Sequence, residues 1–96
     1  MTQIGILQIE LHIPAAQNLK QKRHVVRSLK DRLRGHFNIS LAEVDFHDKW
    51  QRAELVIVMV AVDKTYLESQ FEHIQHFIEQ ELMGSAQITK SDLQFI

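Results

Sequence analysis

The sequence predicts an α+β domain of element order β-α-β-β-α-β, with four antiparallel strands and two helices on one face. Three patterns predict it. Two stretches repeat apolar residues at helical spacing, Leu19, Val26, Leu29 and Leu33 in one and Leu67, Phe71, Ile74, Ile78 and Leu82 in the other. Four further stretches alternate or run apolar as strands do. Pro14, Gly35 and Gly84 stand where such elements should stop.

The first strand is read as Ile4–Ile13, with Gly5, Leu7, Ile9, Leu11 and Ile13 on one face and Ile4, Ile6, Gln8, Glu10 and His12 on the other. Asn18 is a good N-cap, and Gln21 completes a capping-box pattern for a helix from Leu19 to about Gly35. Ile39–Phe46 alternates as a second strand. If Ala42, Val44 and Phe46 face inward, Ile39 and Leu41 are left uncovered. Ala53–Val62 is almost continuously apolar, as a strand buried on both faces should be. Its uncovered set is either Leu55, Ile57, Met59 and Ala61 or Val56, Val58, Val60 and Val62. Asp63 caps the second helix, or Thr65 does so with Glu68, and Gln87–Phe95 is a more polar edge strand. Right-handed crossovers then give strand order 4-1-3-2, the ferredoxin-like arrangement, in one domain spanning residues 1–96.

Charge is the second signal. Seven of the eleven Lys and Arg residues lie between Lys20 and Arg34 against one acid, Asp31; the remainder carries four bases and eleven acids. Lys20, Arg23, Arg27, Lys30 and Arg34 are spaced 3-4-3-4 and form a ridge beside the apolar face. The layout points this ridge outward above the second strand. It points an acidic stripe, Glu68, Glu72 and Glu79, over the opposite edge. Such a ridge is either a solvated surface or a track for a phosphate backbone. Trp50, beside Lys49 and Arg52, is placed to stack a base or to cover the sheet edge.

No apolar run is long enough to cross a bilayer, and the first residues lack a secretory signal's basic start and cleavage site. Without cysteine there is no disulfide framework, thiolate metal site or thiol nucleophile, which fits the reducing cytoplasm. Glu10, His12, Glu43 and Asp45 are drawn to the open sheet face by this reading as a hard-metal or acid–base cluster, but across an intervening strand, which makes direct shared ligation of a metal ion difficult. His73 and His76 have ligand-like spacing without a third partner. There is no P-loop, dinucleotide fingerprint or nucleophile elbow. No enzyme, metal or cofactor is expected.

The runs ELHIP, NLKQKR, SLKDRLR, FNISLAEVD and DKWQRA resemble the YlxP-like family of small bacterial proteins through Val62. The resemblance implies the ferredoxin-like fold, a cytoplasmic protein and no assigned activity. Its members are encoded in many bacteria beside translation-initiation and ribosome-maturation factors, which favours RNA as the partner. Asn18 stands where the family often has serine, and both cap helices well.

The expected function is therefore a non-catalytic module that binds RNA, on the ribosome or free, through Lys20, Arg23, Arg27, Lys30, Arg34, Trp50 and Arg52. A standard RNA-recognition surface is not expected, because the first and third strands contain no aromatic residue. The alternative is a homo-oligomeric protein whose ridge reads an acidic protein surface. In either case the open sheet face carries more aliphatic side chains than a monomer normally exposes, and a homodimer through that face is expected.

Overall fold

The computed structural model describes all 96 residues. The elements run β1 (Gln3–His12), α1 (Leu19–His36), β2 (Ser40–Asp45), β3 (Arg52–Ala61), α2 (Lys64–Glu81) and β4 (Gln87–Phe95). The sheet has order β2-β3-β1-β4, all neighbours antiparallel, which is the ferredoxin-like arrangement. Asn18 caps α1 by accepting the Gln21 N–H at 2.9 Å, while the Gln21 side chain reaches the Gln17 N–H, one residue before the usual capping-box donor. Asp63, not Thr65, caps α2 and accepts the Thr65 N–H. Gly84 leaves α2 at φ 83°, a conformation glycine adopts without Cβ strain.

The core lies between the helices and the odd-numbered side of β1 and β3. Leu7, Ile9, Leu11, Leu55 and Ile57 are sealed beneath Val26, Leu29, Leu33, Leu67, Phe71, Ile74 and Ile78. Val56, Val58 and Val60 therefore make the uncovered face of β3. Gly5 makes room for α2, because a Cβ there would overlap the buried Phe71 ring. Gly5→Ala is expected to cost about 2 kcal/mol by overpacking, a fall of roughly 10 °C in Tm by thermal denaturation. An unchanged Tm would mean that Phe71 has room to move.

One expected face is inverted. Leu41 of β2 is buried and Ile39 packs on the core, whereas Ala42 and Val44 are exposed. Glu43 also faces inward, because buried Lys22 of α1 donates to its Oε2 at 2.7 Å. The register resets at a bulge, so that Glu43 lies opposite Leu55 and Asp45 opposite Glu54. Glu43 is thus on the other side of the sheet from Glu10 and His12, and the open-face cluster that alternation placed there does not exist.

Candidate nucleic-acid interface

The ridge follows from the register of α1 against its own core. Leu19, Lys22, Val26, Leu29 and Leu33 form the inward line, which rotates Lys20, Arg23, Arg27, Lys30 and Arg34 to one flank. All are exposed except Lys30, which is half-buried. Arg34 donates to the Leu41 carbonyl of β2 at 3.3 Å, so this flank overhangs the β2 edge as the layout requires. The opposite flank faces α2, where Arg32 pairs with Glu81 beside His24 and Ser28. No ridge cation pairs with α2. Lys20, Arg23, Arg27 and Lys30 have no carboxylate within ion-pair distance, and Arg34 only approaches Asp31, at 3.9 Å.

The turn between β2 and β3 is fixed at the N-terminal half of this ridge by the buried lysine. Lys22 Nζ donates to the Phe46 carbonyl at 2.7 Å, and the Lys49 N–H donates to the same oxygen at 3.0 Å. Phe46 sits at φ 62°, a left-handed conformation that disfavours a side chain, and Asp45 Oδ1 accepts its N–H at 2.7 Å. Gln51 ties the other end of the turn to the β1–α1 link, donating to the Pro14 and Ala16 carbonyls at 3.0 and 3.2 Å. The Phe46 ring lies under the Arg52 guanidinium at 3.8 Å.

Trp50 is 53% exposed. A groove of about 420 Å³ runs beside it, lined by His12, Asp48, Lys49, Trp50, Gln51 and Arg52. Arg52 is less free than its position in the sequence implied. It donates to Glu10 Oε1 at 2.8 Å, and Thr89 donates to Glu10 Oε2 at 3.1 Å. The Arg52 hydrogen bond, with help from Thr89 and the charge of Lys90 and against partial desolvation, holds the Glu10 carboxyl below the usual glutamate range. The pair therefore persists into acid and is lost only as the pH falls through that lowered value.

The structure joins two groups of the expected residues, the five ridge cations and the Trp50–Arg52 turn, through Lys22, a member of the basic stretch that is not part of the ridge. Lys22 was legible only as a lysine in an apolar line. Residues 19, 22, 26, 29 and 33 keep 3-4-3-4 spacing, and a lysine inside such a line needs a buried acceptor. No three His, Asp or Glu side chains come close enough to hold a metal ion together. His73 and His76 are both exposed on α2.

Comparison with known proteins places the chain. Uncharacterized protein YlxP of Bacillus subtilis is 32% identical over 76 residues, covering 79% of this chain and 83% of its own. Among solved structures, a dimeric ferredoxin-like protein from an uncultured marine organism aligns over 100% of this chain and 96% of its own, with TM-score 0.56 at 8% identity. A dinuclear metal-binding M20-family peptidase of Bacillus subtilis aligns over 100% of this chain but only 26% of its own, with TM-score 0.63 at 13% identity. At such identities these two structures show the fold alone. A family described as proteins of unknown function, DUF503, matches residues 4–92, and the chain belongs to that family.

Proposed function

We propose that the protein is a non-catalytic, cytoplasmic binding module that presents the α1 ridge to the phosphate backbone of RNA, free or on the ribosome. The observation that carries this reading is the lack of carboxylate partners along the ridge. Four of its five cations have no ion-pair partner, although acids outnumber bases in the chain as a whole. Five cations over about 21 Å of helix match an extended phosphate track better than a point ligand. The acids of α2 that would neutralise the ridge, Glu68, Glu72 and Glu79, make no ion pair with it. The competing reading sets the ridge against an acidic protein surface. A pull-down from lysate separates the two: RNA partners are expected to vanish after RNase treatment, and partners that survive nuclease would favour the protein surface.

The open sheet face supports a second element of the reading, a homodimer. Ile4 and Ile6 of β1, Ala42 and Val44 of β2, and Val56, Val58 and Val60 of β3 lie together on it, with Val60 61% exposed. Gln8, Glu10, Asp45 and Glu54 border this patch. An apolar centre with a charged rim is the anatomy of an interface, and a two-fold contact covers it with its own copy. A structural neighbour of this fold is described as dimeric. A standard interface buries about 1,200–2,000 Å² in total, a gross hydrophobic gain large enough to offset association costs. Sedimentation equilibrium at micromolar concentration is expected to give twice the chain mass of 11.2 kDa. A clean monomer there would contradict the dimer.

A further inference from the structure

The geometry points to a second subsite: the groove beside Trp50 takes one unpaired RNA base, so the protein selects single-stranded over duplex RNA. This rests on the backbone reading of the ridge and adds to it what kind of strand is bound.

Four observations meet at the groove. Trp50 leaves about half of its surface open to solvent. The groove, about 420 Å³, is wide open to solvent, a shelf for one face of a base rather than an enclosed pocket. Its charged lining is Asp48, Lys49 and Arg52: Lys49 has no ion-pair partner, and Arg52, held by Glu10 and stacked on Phe46, is fixed in place. The turn itself is pre-ordered, by Lys22 and the Lys49 N–H on the Phe46 carbonyl and by Gln51 on the β1–α1 link. A binding aromatic on a pre-ordered turn loses little freedom when a ligand stacks on it.

The same tether sets the direction of a bound strand. Lys22 lies between Lys20 and Arg23, so the turn that Lys22 holds sits at their end of the ridge. A backbone following the ridge from Arg34 towards Lys20 runs on to the turn and around that end of the sheet, because His12 and Arg52 lie on the face away from α1; there Lys49 receives a phosphate and Trp50 a base. His12 forms the far wall of the groove and is paired in register with Arg52. An A-form duplex keeps its bases paired and stacked, so none is free to lie on an indole; a single strand or loop has one to offer.

Trp50 is the chain's one tryptophan, so its fluorescence reports this subsite alone. The full chain is titrated with a single-stranded oligonucleotide of about ten residues, with the same sequence as duplex, and with AMP. The single strand is expected to quench Trp50 and the duplex to leave it nearly unchanged. Trp50→Ala should weaken single-strand binding by roughly ten- to hundredfold while duplex affinity stays constant, and Trp50→Phe, which keeps an aromatic plane, should lose less. Equal quenching by both forms, or a Trp50→Ala variant that binds the single strand like the parent, would overturn the subsite and leave the ridge reading standing. Saturation by AMP as tight as by the oligonucleotide would also overturn it, in favour of a free nucleotide. No binding of either RNA by the parent protein removes the ridge reading and the subsite together.

Discussion

Lys22→Ala is expected to destabilise the domain by about 3 kcal/mol, the loss typical of breaking a buried ion pair from one side. The lysine is 1% exposed and Glu43 14% exposed, so the glutamate left behind has little access to water. The Phe46 carbonyl loses its charged donor in the same step and keeps only the Lys49 N–H. The lysine's alkyl stem also leaves a void between α1 and β2. Urea denaturation measures the loss. The companion double variant, Lys22→Met with Glu43→Leu, removes both charges and fills the space, and should recover most of the stability. A single variant within about 0.5 kcal/mol of the parent, the range of ordinary surface substitutions, would show that the pair does not hold α1 to the sheet.

That pair also accounts for what the sequence concealed. Element boundaries were readable to within a residue or two, and β4 to the residue, because the periodicities of 3.6 and 2 were clean and the caps were of standard type. Strand order followed from right-handed crossovers alone. The face of β2 was not readable. Leu41 and Glu43 alternate with Ala42 and Val44, and counting apolar residues puts the glutamate outside. Only an inward lysine makes Glu43 a core residue. Lys22 in turn was counted with the basic stretch rather than with the apolar line it belongs to. One unrecognised contact thus hid both the face of the strand and the tether of the turn. It also produced the apparent acidic cluster on the open face.

The ridge and the turn differ in legibility for a related reason. A helix of known register projects its surface by arithmetic, so Lys20, Arg23, Arg27, Lys30 and Arg34 appear where 3-4-3-4 spacing puts them. A turn has no such period. The left-handed Phe46, its ring under Arg52 and the bond from Arg52 to Glu10 follow no repeat in the sequence, and the last joins residues 42 apart. The Trp50 groove is built from those contacts.

Replacing Arg23, Arg27 and Arg34 together with Gln tests the central claim most directly, through filter binding of RNA across a salt series. These side chains are exposed and make one weak ion pair and one long hydrogen bond between them, so the variant should unfold within about 0.5 kcal/mol of the parent per site. For a single strand, each lost phosphate contact should flatten the slope of log K against log salt by about 0.7. Three contacts amount to a slope change of about 2 and an affinity loss of roughly a hundredfold at about 0.1 M salt. Equal affinity and equal salt slope for the folded variant and the parent would contradict RNA binding through α1.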